Sequence, residues 1–248
     1  MTEADVPDGL RLKAEAGWNQ VEADWRRFLA LGEEGCFVAV AGGRVVGSVT
    51  TCRFGPVGWV AMLLVEKAHR GRGIGRSLLL RAMESLEGRG ARSIRLDATP
   101  LGRPLYESLG FRVDFALRRW GGSMAPAEGD GTLDPEQSID RDRIAALDRA
   151  VTRTDRRTLI DRLLLDNPGR ALVAGPDGGY VLWRPGSSAD QVGPCIAERT
   201  EGRALLDEVG RRLAGRSAIA DIPDDHREAA AWAEAHGLRA AREFWRMT

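Results

Sequence analysis

The chain has 248 residues, enough for one large domain or two small ones. Its 36 lysines and arginines balance 36 aspartates and glutamates, so no net field favours nucleic acid or a membrane surface as a partner. No apolar run reaches the roughly 18 residues of a membrane-spanning helix, and the opening Met1-Thr2-Glu3-Ala4-Asp5 is acidic rather than signal-like, so the expected location is the cytoplasm.

Leu10–Ala14 reads as a helical segment, followed by the junction Ala16-Gly17-Trp18-Asn19-Gln20 and a second stretch carrying Trp25 and Phe28. An aromatic wall beside two amides suits a small polar ligand, which makes Trp18 and Asn19 candidate substrate contacts. Trp25 could instead share a buried face with Trp18. Cys36–Gly43 reads as a strand entering a glycine hairpin, and Trp59-Val60-Ala61-Met62-Leu63-Leu64-Val65 as a buried strand. Cys36, Cys52 and Cys195 are far apart and the three histidines do not cluster, so neither a metal site nor a disulfide framework is expected.

The segment Glu66-Lys67-Ala68-His69-Arg70-Gly71-Arg72-Gly73-Ile74-Gly75 joins that strand to an amphipathic helix. A helix N-terminus offers unpaired N–H groups and partial positive charge, and glycine lets the backbone approach a ligand closely, so the loop reads as a pyrophosphate cradle. It is not a Walker loop, because no Lys-Ser or Lys-Thr pair follows the glycines. Nor does Gly71-Arg72-Gly73-Ile74-Gly75 have the spacing of a dinucleotide fingerprint, although Asp97 lies about where a ribose-binding acid would be sought. A third pattern, Arg-x-x-Gly-x-Gly, is filled by Arg70, Gly73 and Gly75 after a strand ending at Val65.

Downstream, Ile74, Leu78, Leu79, Ala82, Met83 and Leu86 recur at helical spacing until Gly88 and Gly90. Ile94–Ala98 reads as a strand. Pro104-Leu105-Tyr106-Glu107-Ser108-Leu109-Gly110-Phe111 reads as a short helix opened by proline and closed by glycine, before a strand from Val113 to Trp120. With the loop, this Tyr-Glu-x-Leu-Gly-Phe run makes the sequence resemble the GNAT superfamily of acyl-CoA-dependent N-acetyltransferases.

Gly121–Gly131 has no periodicity and reads as a linker. Beyond it, the second half of the chain echoes the first. Ala171–Gly178 resembles Cys36–Gly43, Ala204–Asp207 matches Leu78–Arg81, Ala233-Glu234-Ala235-His236-Gly237-Leu238 faces Tyr106–Phe111, and Glu243-Phe244-Trp245 answers Arg118-Arg119-Trp120. In the second copy the cradle reads Ala197-Glu198-Arg199-Thr200-Glu201-Gly202, with two acids where phosphate would sit, and the tyrosine position holds Ala233. The expected fold is therefore α/β (α+β) with two GNAT-like domains, each a mixed, splayed central sheet flanked by helices. The catalytic one spans 1–121, the linker 122–135 and the degenerate one 136–248. Members of the superfamily usually begin with a strand; here the opening strand must be short or absent.

The resemblance implies acetyl-CoA as co-substrate, wedged between the splayed strands Ala61–Val65 and Ile94–Ala98. It assigns the pantetheine arm to Leu63, Leu64 and Val65. The pyrophosphate falls to the amides of Arg70, Gly71, Arg72, Gly73, Ile74 and Gly75, with Arg76 and Ser77 at the rim. It gives Tyr106 the role of acid for the departing thiolate; read structurally, Tyr106 would be an amphipathic core residue. Asp97 could be a strand-end cap or a substrate contact, and Glu33, Glu34, Asp24 and Asp97 are the candidate proton acceptors. The acceptor would be a primary amine of a small molecule or peptide, attacked directly, with the protein a monomer or homodimer. The rival reading is a non-catalytic acyl-CoA sensor or scaffold, which would have no need of an acid at Tyr106.

Overall fold

The structure is a computed structural model, described here for residues 1–32, 34–126, 140–175 and 178–248. It divides into two compact units, Met1–Asp114 together with Arg246–Thr248, and Phe115–Trp245.

In the first unit, helices α1 (Val6–Glu15) and α2 (Glu22–Gly32) precede strands β1 (Phe37–Ala41), β2 (Arg44–Phe54) and β3 (Val57–Val65). Helix α3 (Ile74–Gly88), strand β4 (Ser93–Ala98) and the short helix α4 (Arg103–Glu107) come next, and β5 (Val113–Ser123) starts there. No strand precedes α1 among the described residues, as the sequence led us to expect. The β1–β2 and β2–β3 pairs are antiparallel and β3–β4 is parallel. A parallel pair requires a crossover, which α3 supplies. β2 is buried along almost its whole length because α3 and the pair α1–α2 both pack on it. At Gly58 a β-carbon would stand 2.9 Å from Leu86, so α3 lies closer to the sheet than a larger residue would permit.

Trp25 is fully buried, in a cluster with Val6, Leu12, Val45, Met62 and Leu64, and Gly9 packs on its ring. It is a core residue, and Trp18 packs against the same cluster. Trp25→Ala is expected to destabilise the first unit by about 3–5 kcal/mol, read as a lowered urea midpoint.

The second unit takes β5 from Phe115 onward, then α5 (Arg141–Thr152), α6 (Arg157–Asp166), β6 (Ala171–Val173), β7 (Tyr180–Arg184) and β8 (Asp190–Ile196). Helix α7 (Arg199–Arg212), strand β9 (Ser217–Pro223), helix α8 (Arg227–Ala235) and strand β10 (Arg239–Met247) as far as Trp245 complete it. From α5 to β10 the helices and strands repeat the order from α1 to β5, with β8–β9 parallel as β3–β4 is. The repeat seen in the sequence is thus a repeat of structure. Its core gathers Leu205, Val209, Trp232 and Leu238 with the sheet. A buried polar cluster holds α5 to β7: Asp148 accepts from the Tyr180 hydroxyl at 2.5 Å and from Arg156 Nε at 3.0 Å.

The sequence set a boundary at residue 121; by contacts the division falls at Asp114, and Arg246–Thr248 join the first unit. Each half of the chain therefore finishes in the other's unit. β5 pairs antiparallel with β9 through Ser123, so strand continues into the stretch read as the start of the linker. The rest of that linker, from residue 127, lies outside the described residues, as do Pro176 and Asp177 of the second hairpin.

Candidate active site

Strands β3 and β4 pair only at Val57–Ser93, Gly58–Ile94 and Trp59–Arg95. Both continue, to Val65 and Ala98, without another ladder pair, so they diverge. The backbone of β3 beyond Trp59 is left without a strand partner on that side. On its other side the β2 register slips between Ser48–Leu64 and Thr50–Ala61. The extra residue falls at Met62–Leu63, and Met62 takes φ +49°, a left-handed conformation uncommon for methionine. Ser48 Oγ donates to the Met62 carbonyl at 3.0 Å and Thr50 Oγ1 to the Ala61 carbonyl at 3.1 Å, so β2 holds the bulge in place. Sequence reasoning picked out Leu63, Leu64 and Val65 but not Met62; a methionine carries no signal for a positive φ.

The strand leads into a turn of 3-10 helix at Lys67–His69, then Gly71 (φ +73°) and Gly73 (φ +82°), the latter capping α3. These dihedrals suit glycine and are strained for any other residue. Helical bonding begins with Ser77 N–H to the Gly73 carbonyl at 3.0 Å. The amides of Gly71, Arg72, Gly73, Ile74, Gly75 and Arg76 have no acceptor among the described residues. First-turn amides project from a helix end where the dipole is positive, so the loop presents open donors of the kind an anion takes. Arg70 is partly committed: its Nε donates to the Val65 carbonyl at 2.9 Å, closing the loop on the strand. Arg72 and Ser77 are exposed at the mouth.

Sequence reasoning missed Glu66, the residue that anchors this loop. Its carboxylate is nearly buried and is met by Arg11 at 2.6 Å, Arg44 at 2.8 Å and His69 Nδ1 at 2.8 Å. Its N–H binds the Val46 carbonyl at 2.9 Å. A carboxylate so enclosed depends on its two arginines, so α1, β2 and the loop are fixed together.

Tyr106 lies on α4 with 8 % of its surface exposed, its ring against Gly102 and edge-on to Phe111 at 6.0 Å. The hydroxyl makes no hydrogen bond among the described residues. Burial pushes its pKa up to about 12, so the hydroxyl stays protonated across the neutral range. Arg76 Nη1 reaches Ser108 Oγ at 3.2 Å, tying the start of α3 to the end of α4.

The expected acceptor contacts fare differently. Trp18 is half-buried against the α1–α2 core and Asn19 is buried, both in the junction between those helices. Asp24 is buried and engaged, accepting from Val21 N–H at 2.9 Å and Arg27 at 2.8 Å. Asp97 is forked by Arg246, Nε at 2.5 Å and Nη2 at 3.1 Å, which makes its carboxylate an anchor for the chain's end. Glu34 is exposed and Glu33 lies outside the described residues. No group of three histidines, cysteines, aspartates or glutamates arranged to hold a metal ion occurs among the described residues.

The second unit shows the same frame with different chemistry. Gly237 N–H bonds Glu234 and Leu238 N–H bonds Ala233, as Gly110 bonds Glu107 and Phe111 bonds Tyr106, so Ala233 stands at the tyrosine position. The β7–β8 register slips between Val181–Cys195 and Trp183–Val192, setting Gly193-Pro194 where the first unit has Met62-Leu63. Proline has no N–H to offer there. Glu198 caps α7 and Glu201 sits in its first turn, putting negative charge where the first unit has open amides.

Residues 10–111 match the Acetyltransferase (GNAT) family and residues 144–248 the Acetyltransferase (GNAT) domain. Over 234 residues the chain is 26% identical to the uncharacterized N-acetyltransferase YitH of Bacillus subtilis (strain 168), covering 90% of this chain and 81% of YitH. A Pyrococcus horikoshii protein assigned as an acetyltransferase superposes with a TM-score of 0.83 at 19% identity, covering 100% of this chain and 86% of that one. A tandem GNAT protein from the clavulanic acid biosynthesis pathway superposes with a TM-score of 0.67 at 19% identity, covering 99% and 94%.

Proposed function

We propose, for a chain that belongs to the GNAT acetyltransferase family in both of its halves, that the first unit moves an acetyl group from acetyl-CoA to a primary amine of a small molecule or peptide. The second unit is a structural partner that binds no carrier. The observation that carries the reading is the run of open amides from Gly71 to Arg76 at the start of α3, in the same unit as the Tyr106 hydroxyl. These residues fit the diphosphate of CoA: N–H donors, positive dipole, and nothing within 4 Å of where β-carbons would stand at Gly71 and Gly73.

Acetyl-CoA supplies an activated acyl group and a thiolate that can leave. The loop from Gly71 to Arg76 binds its diphosphate, with Arg72 and Ser77 at the rim. The open edge of β3 at Leu63, Leu64 and Val65 orients the pantetheine amides. A fixed backbone N–H near Val65 would stabilise the carbonyl oxygen as it gains charge, a role worth about 3 kcal/mol per donor. The amine nitrogen bonds the acyl carbon as the carbon–sulfur bond breaks. One proton leaves the nitrogen for solvent or a carboxylate, and Tyr106 supplies one to the sulfur. An alkyl amine with pKa near ~10.4 arrives mostly protonated, so its deprotonation is part of the work. A sensor would not need a buried tyrosine hydroxyl that bonds no other group among the described residues, and Ala233 marks the frame without one.

Calorimetric titration of the whole chain with acetyl-CoA tests this. The expected result is one equivalent bound per chain, with raised thermal stability. Absence of both heat and thermal protection would overturn it, and two equivalents would return the second unit to function.

A further inference from the structure

We propose that Arg246 is a positioning residue for the acyl-carrier cleft: it rivets β3 and β4 at the point where they part. This rests on the acetyl-CoA reading above. Arg246–Thr248 belong to the first unit, although Arg246 and Met247 lie in β10. The Arg246 guanidinium lies over the Trp59 ring at 4.6 Å and forks the carboxylate of Asp97. Trp59 is the β3 member of the final ladder pair before the strands diverge, and Asp97 lies on β4 beyond that pair. One planar cation thus touches both strands on either side of the fork, with no backbone ladder there to set their separation.

The end of the chain is fastened around it. Arg112 and Thr248 exchange backbone hydrogen bonds at 2.8 and 2.9 Å, and Thr248 Oγ1 donates to Asp114 at 2.5 Å. The guanidinium is therefore presented from a paired strand end rather than from a loose tail.

The second unit supplies a matched control. Arg119 forks Asp221 with both bonds at 2.7 Å and lies over the Phe244 ring at 5.0 Å, the same chemistry within the unit whose cradle is closed by acids. If Arg246 only glued strands together, Arg119→Ala and Arg246→Ala would act alike.

The test measures the acetyl-CoA dissociation constant and melting temperature of the full-length wild type, Arg246→Ala, Arg246→Lys, Asp97→Asn, the Arg246→Ala/Asp97→Asn double variant and Arg119→Ala. Arg246→Ala and Asp97→Asn are each expected to weaken binding about tenfold, and the double variant no further, because both break one unit of support. Arg246→Lys, which keeps charge but not the fork, should fall between, and Arg119→Ala should bind like wild type whatever it loses in melting temperature. Wild-type affinity in a folded Arg246→Ala or Arg246→Lys, additive losses in the double variant, or an equal loss in Arg119→Ala would each overturn the positioning role. Failure of the wild type to bind would instead overturn the acetyl-CoA reading, and this inference with it.

Discussion

Tyr106→Phe is expected to leave the affinity for acetyl-CoA unchanged and to slow acetyl transfer about tenfold or more, the order expected when a general acid is lost. The substitution removes one oxygen and keeps the ring that packs on Gly102 and meets Phe111 edge-on. That oxygen satisfies no other group in the described structure, so its loss orphans no partner. The fold should therefore survive, and the defect should sit in kcat rather than in binding. The pH dependence sharpens the expectation. With the hydroxyl's pKa pushed up to about 12, Tyr106 stays protonated through the neutral and mildly alkaline range, so its own ionisation does not produce an alkaline fall in kcat there. The linkage has a defined sign. A folded pKa raised above the unfolded value of about 10 gives stability that is present below pH ~10 and lost as pH rises toward 12. Tyr106→Phe should lack that share of the alkaline loss. Steady-state turnover against any accepted amine, paired with calorimetric affinity, separates the outcomes. Unchanged turnover would remove the tyrosine from the mechanism and favour a non-catalytic acyl-CoA binder.

What the sequence revealed and what it hid divide along the range of the interactions involved. The loop from Arg70 to Gly75, the periodic face of α3 and the proline-to-glycine frame of α4 are fixed by neighbours in the chain, and all lie where local reasoning puts them. The bulge at Met62 arises from a register slip against β2, and nothing in Met62-Leu63 announces it. Glu66 reads as one more loop acid until Arg11 and Arg44 arrive from distant elements. Asp97 reads as a strand-end cap or a substrate contact, yet the group that occupies it is 149 positions away. The same holds for the ends of β5 and β10. A strand's pattern reports which face is buried but not which edge it joins, so the crossing of these strands into the other unit is invisible to composition. Trp25 and Trp18 show the limit for aromatics: similar in sequence setting, one is sealed in the core and the other stays half-exposed at the helix junction.

Gly73→Glu is expected to abolish acetyl-CoA binding in a protein that still folds. Two effects act on the fold, and they oppose. Gly73 has φ +82°, where a side chain costs about 1–2 kcal/mol, but nothing lies within 4 Å of the added β-carbon. A carboxylate at a helix N-terminus returns about 0.3–1 kcal/mol by meeting the dipole. The net loss is small against a domain's several kcal/mol. The ligand meets a different balance. A negative charge about 4 Å from a phosphate, at an effective dielectric near 20, opposes binding by about 4 kcal/mol, close to a thousandfold. It would also occupy the amides that the diphosphate requires. Gly73→Ala separates the causes, since it carries the backbone strain without the charge, and it should weaken binding far less. α7 already displays the outcome: Glu198 at its cap and Glu201 in its first turn belong to a helix that is formed and packed, with acid standing where a diphosphate would need to lie. Gly73→Glu would convert the first cradle into a copy of the second. Titration of the folded variant with acetyl-CoA should yield no heat; binding at wild-type strength would mean that the diphosphate lies elsewhere than at the start of α3.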